Sequence, residues 1–358
     1  MKSLLRLLLK TNFKPNCSKV DRTVSGFTLI ELLVAMIMTF LILTPLLGFV
    51  VDVLNTDRKE QVKSNTEQEV QAALDFIAED LGQAVYIYDK TGVDSIVDSL
   101  PNDPITNGTP ILVFWKRQLM KKVLPTLATT DATCPNNDNN TCNDSYVYSL
   151  VAYYLRPDTN NSASNIWCQP GGGTCPARIT RYQYRDGVIN TNVTPPVYFT
   201  APDPRAAKPT DFLPFNLSIT GANLQEKMNK WPLQPDGTTP AISAPPAAEV
   251  PVLVNYIDTS AVTATYPTSD ECQKALGNPT TTLANGTTQA VSEAQLRIAD
   301  PTKIGFYACV DSSKTVARVT IRGSALRKMQ NTANYSSSNS AFFPTASVQV
   351  QGLGVLAQ

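Results

Sequence analysis

The sequence predicts an α+β fold, with one long N-terminal helix followed by an antiparallel sheet. Residues 32–51 contain no charged side chain, and an apolar stripe with helical period continues beyond them. After about residue 90, short segments rich in β-branched and aromatic residues alternate with connections containing Pro, Gly, Asn and Asp. These connections are too irregular for parallel β-α-β units, so an antiparallel sheet packed on the helix is the simplest arrangement.

The composition excludes several classes of function. The chain of 358 residues has 30 basic and 30 acidic side chains, seven cysteines, 26 prolines and no histidine. Without histidine, Ser-His-Asp and Cys-His nucleophile pairs and histidine-ligated metal sites are impossible. The zero net charge gives no reason to expect a nucleic-acid partner. We therefore expect a secreted or surface protein without catalytic residues, metal or cofactor.

The first 26 residues are basic and precede a segment of membrane-spanning length. Residues 1–26 carry six basic side chains against one acidic one. A helix over residues 32–51 would be about 30 Å long, the thickness of a bilayer's hydrocarbon core. Because the positive charges precede it, we expect the N-terminus in the cytoplasm and the rest of the chain outside. A secretory signal peptide would have a shorter apolar stretch and an A-x-A cleavage site.

One acidic residue lies at the start of the apolar stretch. Glu31 has no basic residue between it and Arg58. A carboxylate in a membrane costs about 2–3 kcal/mol or more toward the bilayer centre, so it needs a partner and indicates function. If the chain were cut after Gly26, the new α-amine of Phe27 would be a cation four residues away, or on a neighbouring subunit.

The sequence Gly-Phe-Thr-Leu-Ile-Glu at residues 26–31, after a basic leader, closely resembles the processing site of type IV prepilins and type II secretion pseudopilins. This resemblance implies that a membrane-embedded prepilin peptidase cuts between Gly26 and Phe27 and methylates the new amine. Glu31 then matches the family's glutamate, which neutralises the N-terminal amine of an adjacent subunit. The implied partners are the prepilin peptidase, other minor and major pilins or pseudopilins, the inner-membrane assembly platform and membrane lipid.

Pro45 and Gly48 lie where helices of this family commonly bend or loosen. Proline removes one backbone hydrogen bond and clashes with the preceding turn, so we expect a kink near residues 41–45.

The helix is expected to continue past the membrane as an amphipathic segment. We expect residues 27–54 to be the membrane part of a helix of about 55 to 60 residues, and 55–90 its continuation. An apolar stripe consists of Val62, Thr66, Val70, Ala73, Leu74, Ile77, Leu81 and Ala84. The opposite side carries the charged residues Arg58, Lys59, Glu60, Lys63, Glu67, Glu69, Asp75, Glu79 and Asp80. A coiled-coil stalk is the alternative, but the stripe stops near Tyr86, so we expect the helix to cover a sheet.

Residues 91–358 are expected to form an extracytoplasmic β-rich domain. Seven strands are predicted, near residues 111–115, 147–155, 179–184, 252–257, 304–310, 316–321 and 348–353. Residues 195–251 hold 12 of the 26 prolines. This segment is either a flexible spacer or an insertion on the surface of the sheet, and its apolar residues, Phe212, Phe215, Leu217 and Trp231, favour a partly ordered insertion.

Six cysteines remain if the leader, with Cys17, is removed. They are Cys134, Cys142, Cys168, Cys175, Cys272 and Cys309. An even number outside the membrane suggests disulfides, and the short spacings favour Cys134–Cys142 and Cys168–Cys175, which leaves Cys272–Cys309. A zinc site is the alternative, but the spacings are too long for the usual ligand pairs and histidine is absent. The Asn- and Asp-rich segment 136–140 lacks the glycine and distal glutamate of an EF-hand.

The functional expectation is assembly rather than catalysis. The resemblance implies a minor pilin or pseudopilin precursor at the tip or in the initiation complex of a fibre. Segment 73–84 is similar to the helix of J-type minor pseudopilins and W-type minor pilins, and the chain also looks like the pseudopilins of cyanobacterial hormogonium polysaccharide secretion. The alternative is a membrane-anchored adhesin or enzyme that keeps its leader. Removing the leader leaves 24 basic and 29 acidic residues, so the external subunit is expected to be acidic.

Overall fold

The structure, a computed structural model, describes residues 26–100, 108–125, 142–190, 194–198, 213–214, 217–232, 251–261, 269–282 and 286–354. Contacts within the chain divide it into two units, Met1–Arg58 and Lys59–Gln358. Several features of the sequence analysis lie outside the described residues: the leader up to residue 25, Cys134, the segment 136–140 and most of the Pro-rich segment.

The chain begins with a 54-residue helix, α1, spanning Leu29–Gly82. Pro45 lies inside α1, and the helix continues through it without a break, so the expected kink stays a prediction. Within the described part of the chain, only α1 is long and apolar enough to cross a membrane, and its apolar portion is not buried by protein. This portion fits a single-pass membrane anchor.

The outer part of α1 is buried along one stripe, as its period predicts. The buried residues of α1 are Thr66, Val70, Ala73, Leu74, Ile77, Asp80 and Leu81. The helix ends at Gly82, and Ala84–Ile87 form strand β1, whereas the sequence analysis extends the helix to about residue 90. The earlier end has a local cause, because glycine is a poor helix former and the valine, tyrosine and isoleucine that follow favour a strand.

The larger sheet has five antiparallel strands in the order β1-β2-β3-β4-β7. Its strands after β1 are β2 (Thr109–Pro125), β3 (Cys142–Pro157), β4 (Ala177–Arg185) and β7 (Val252–Ile257). The long strands β2 and β3 form most of this sheet. They extend well beyond the apolar segments from which the sequence analysis predicted them.

A second antiparallel sheet has the order β10-β11-β12-β13. Its strands are β10 (Arg297–Ala299), β11 (Phe306–Asp311), β12 (Val316–Arg322) and β13 (Thr345–Gln351). The expectation of one antiparallel sheet is therefore right about pairing but omits the division into two sheets. One hydrophobic core joins the buried stripe of α1 to side chains of both sheets.

Short elements complete the described chain. Two small hairpins are formed by β5 (Ile189–Asn190) with β6 (Val197–Tyr198) and by β8 (Thr280–Thr282) with β9 (Thr288–Ala290). The short helices are α2 (Lys90–Ile96), α3 (Leu224–Asn229), α4 (Glu271–Ala275) and α5 (Glu293–Leu296). Single 3₁₀ turns occupy Val97–Ser99 and Leu326–Lys328, and Ser337–Phe342 form a longer one.

The described end of the Pro-rich segment packs on the core. Trp231, two residues after α3, is buried, and its ring and that of Trp115 pack edge to face at a centroid distance of 5.5 Å. The indole N–H of Trp231 also donates to the carbonyl oxygen of Leu213. These contacts agree with the expectation that an aromatic residue anchors part of the insertion.

Asp80 is buried, which corrects its assignment to the solvent-facing side of α1. It is 6% exposed and binds side chains of three strands. One carboxylate oxygen accepts from the Lys116 ammonium on β2 at 2.8 Å, and the other accepts from Tyr153 on β3 at 2.6 Å and from Arg181 on β4 at 2.7 Å. Helical period alone places Asp80 on the solvent-facing side, because it cannot reveal cations on strands distant in the sequence.

This arrangement changes the acidity of Asp80. Burial by itself raises the pKa of the carboxyl group, but the hydrogen bonds from Arg181, Lys116 and Tyr153 outweigh burial and hold the pKa of Asp80 below its ordinary value. The same surroundings raise the pKa of the Tyr153 hydroxyl, through burial first and then the neighbouring carboxylate. Asp80 is therefore an ionised carboxylate at neutral pH, paired with two cations.

Two disulfides lie within the described residues. They join Cys168 to Cys175, a pair favoured by its short spacing, and Cys272 to Cys309, the pair that the short spacings left; Cys142 is also disulfide-bonded. The first loop packs against Arg327, whose buried guanidinium donates to the carbonyl oxygens of Gln169, Pro170 and Thr174 at 2.7–2.9 Å. A backbone loop thus surrounds a buried cation with carbonyl dipoles. The adjacent Lys328 reaches Glu69 on α1 at 2.6 Å.

Replacing Asp80 with asparagine is expected to lower the free energy of unfolding by about 3–5 kcal/mol, because the buried Lys116 and the partly buried Arg181 lose their anion. The comparison is Asp94→Asn, which removes an exposed pair with Lys90 on α2 and should cost less than about 0.5 kcal/mol. Both values can be measured by urea unfolding of the full-length protein in detergent. Equal losses in the two variants would contradict the importance of the buried carboxylate.

The contribution of Asp80 is also expected to depend on pH. Because its folded pKa is depressed, this contribution is fully present above the unfolded pKa of about 3.9 and is lost as pH falls through the lower folded value. The stability difference between wild type and Asp80→Asn should therefore be constant from pH 7 to about pH 5 and shrink below about pH 4. Urea unfolding at several pH values measures it, and a difference independent of pH down to pH 2 would contradict the ionised state.

Candidate functional site

The expected processing site is accessible. Gly26 and Phe27 precede the first turn of α1, and the Phe27 side chain is 86% exposed. Apart from its neighbours in the chain, no described residue has an atom within 4 Å of a Cβ placed on Gly26. The described residues therefore leave the peptide bond between Gly26 and Phe27 uncovered.

Thr28 and Glu31 form a reciprocal cap at the start of α1. The hydroxyl oxygen of Thr28 accepts from the backbone N–H of Glu31 at 3.3 Å. One carboxylate oxygen of Glu31 accepts in return from the Thr28 backbone N–H at 3.2 Å and from the Thr28 hydroxyl at 3.0 Å. This is a capping box, in which two backbone N–H groups at the helix end obtain side-chain partners.

The capping role of Thr28 was not among the predictions, although the sequence contains its signal. Thr-Leu-Ile-Glu at residues 28–31 has the Thr-x-x-Glu spacing of a capping box directly before an apolar helix. Glu31 therefore has a partner in the isolated chain. A negative charge in the first turn also interacts favourably with the positive end of the helix dipole.

The helix after the cap is suited to an apolar environment. Its hydroxyl groups bond within the helix: Thr39 donates to the carbonyl oxygen of Ala35 at 2.7 Å, and Thr44 donates to that of Phe40 at 2.8 Å. Such bonds satisfy polar side chains without water. Within the described residues Glu31 forms no ion pair, so it is an exposed charge at the start of an otherwise uncharged segment.

The cysteines and a surface cleft are weaker candidate sites. Cys168, Cys175, Cys272 and Cys309 are disulfide-bonded and so cannot act as thiolate ligands of zinc. Among the described residues, no group of three or more histidine, cysteine, aspartate or glutamate side chains is placed to hold a metal ion. A cleft of about 980 Å³ lies beside Lys63 and Glu67, with Tyr335 and several serines in its wall.

Comparison with known proteins agrees with the N-terminal geometry. The family model described as the prokaryotic N-terminal methylation motif matches residues 21–47. This range contains the exposed Gly26–Phe27 bond, the capped first turn and the apolar helix through Pro45. No curated protein and no solved structure matches the chain. The chain therefore carries the prokaryotic N-terminal methylation motif at the start of a long apolar helix.

Proposed function

We propose that this protein is a minor pilin or pseudopilin subunit. A prepilin peptidase cuts it after Gly26 and methylates the amine of Phe27, and the subunit then joins a type IV pilus-like or type II secretion-like fibre. The observation that carries the proposal is the methylation motif, matched at residues 21–47 on an accessible peptide bond before an apolar helix. The protein acts by assembly and not by catalysis.

The orientation and destination follow from the same segment. Basic residues precede α1 in the sequence, so the N-terminus faces the cytoplasm and the domain after α1 lies outside the inner membrane. From the membrane, the subunit passes into the fibre through an assembly platform. The charge of Glu31 faces the amine of an adjacent subunit, where the low dielectric strengthens the attraction between them.

The size of the outer domain favours a position at the fibre tip. The chain from residue 91 onward holds 268 residues. Helical packing of many copies leaves little room for such bulk around each helix. A few copies at the tip, where they initiate assembly, have more space.

The mature N-terminus tests the processing step. Mass spectrometry of the protein from cells containing a prepilin peptidase should find N-methylated Phe27 as the first residue. Peptidase-deficient cells should retain the leader. Intact Met1 in the peptidase-containing cells would refute the proposal and support a membrane-anchored adhesin or enzyme instead.

Substitutions at residues 28 and 31 separate the charge of Glu31 from its capping role. Glu31→Gln keeps an oxygen that can accept from Thr28 but removes the charge, whereas Thr28→Val removes the hydroxyl and keeps the charge. We expect both variants to be cleaved normally. Glu31→Gln should lower incorporation into sheared fibres by about tenfold or more, equivalent to ~1.4 kcal/mol, and Thr28→Val should lower it by less than about threefold.

Incorporation is measured by immunoblotting the sheared fraction against the membrane fraction. Glu31→Ala removes both the charge and the cap and should lower incorporation at least as much as Glu31→Gln does. If Glu31→Gln assembled like wild type while Glu31→Ala failed, Glu31 would act through the helix cap and not through its charge.

A further inference from the structure

The last strand, β13, lies at the edge of the four-stranded sheet. Two hydrogen bonds fix which of its residues face β12: the Gly323 N–H donates to the carbonyl of Pro344, and the Gly352 N–H donates to the carbonyl of Thr315, both at 2.9 Å. Bonded and non-bonded pairs alternate along an antiparallel ladder. The residues whose N–H and C=O groups face β12 are therefore Ala346, Val348 and Val350.

The other residues of β13 direct their backbone groups away from the sheet. They are Thr345, Ser347, Gln349 and Gln351, and all four are exposed. Within the described part of the chain, no backbone or side-chain group bonds to these four N–H and four C=O groups. β13 thus presents a row of open donors and acceptors about 23 Å long, at ~3.3 Å per residue.

This edge lacks the features that normally prevent strand pairing. β13 contains no charged residue and no proline, and its register with β12 is unbroken over seven pairs. Edge strands are usually protected by charges, proline, bulges or short length. The opposite edge strand of this sheet, β10, has only three residues. An unprotected edge of this length is therefore suited to pairing with a partner strand.

The geometry of the edge specifies the chemistry of that partner. Donors and acceptors that alternate along a strand are satisfied together only by another extended backbone. Ala346, Val348 and Val350 are partly buried against the core, so apolar side chains at alternate positions of an added strand would extend that packing. Because β13 is uncharged, the matching segment is an uncharged strand.

The direction of α1 argues against a symmetric pair of this chain. A Cβ at Gly323, beside the start of β13, would come within 2.8 and 3.0 Å of methyl groups of Thr66 and Val70. Past the end of β13, the Gly354 N–H donates to the carbonyl of Ala84, two residues after α1 ends. The outer part of α1 therefore runs in the same direction as β13.

Two copies joined by antiparallel β13 strands would thus have helices that run in opposite directions. Under the proposed function, the N-terminal ends of both α1 helices lie in the same membrane or point the same way along one polar fibre. Such a twofold pair is incompatible with that common direction. We therefore propose that β13 pairs with an extended, uncharged strand of a different subunit in the same fibre, an inference that rests on the proposed function.

Gln349→Pro tests this pairing without removing a bond of the sheet, because the N–H of Gln349 points away from β12. Proline deletes that donor and places its ring in the path of an added strand. Gln349→Thr is the matched control, since it changes the side chain and keeps the N–H. In cells that process the full-length chain, Gln349→Pro should lower incorporation into sheared fibres by tenfold or more, and Gln349→Thr by less than twofold.

Thermal unfolding of the purified full-length variants checks the fold. If Gln349→Pro is less stable than wild type, Gln349→Lys replaces it, because a charged edge resists pairing while keeping the internal ladder. Normal incorporation of the blocking variant would overturn the pairing and leave the proposed function standing. Absence of wild type from fibres would overturn both. A dimer of the full-length protein in detergent that Gln349→Pro abolishes would also overturn the inference, with a second copy as the occupant.

Discussion

The buried carboxylate of Asp80 imposes a constraint on the larger sheet that follows α1. Removing an aspartate from water is costly unless cations and donors surround it. Here Lys116, Tyr153 and Arg181 supply them from three neighbouring strands. One helical turn is therefore tied to a fixed order and register of those strands. With the last turn of α1 held in this way, the apolar stripe lies over the core shared by both sheets.

Local patterns account for the features that the sequence predicted well. An uncharged stretch, an apolar stripe and alternating β-branched residues each depend on near neighbours, so α1 and the centres of seven strands were found. Asp80, the division into two sheets and the full length of β2 depend on residues far apart in the chain. The same reason separates the expected processing site from the proposed pairing surface. The Gly26–Phe27 bond is predicted from six consecutive residues, whereas the open edge of β13 depends on which strand lies beside it.

The capped N-terminus and the open strand edge offer two different kinds of contact. Around Glu31 the chain presents one charge in an apolar segment, and a charge is effective over several ångströms in a medium of low dielectric. Along β13 it presents backbone groups that act only at hydrogen-bond distance and in register. Under the proposed function, the first contact is suited to bringing subunits together and the second to selecting which subunit lies alongside.

The capping box has a consequence for the energy of the cleaved chain. Cutting after Gly26 creates a positive amine beside the positive end of the α1 dipole, which repels it. The Glu31 carboxylate offsets that repulsion while it also holds the Thr28 N–H. In a fibre where the carboxylate turns to a neighbour's amine, the Thr28 N–H loses its acceptor and the first turn loosens. Under the proposed function, each added subunit thus loses a hydrogen bond at the start of its own helix and gains an ion pair with its neighbour.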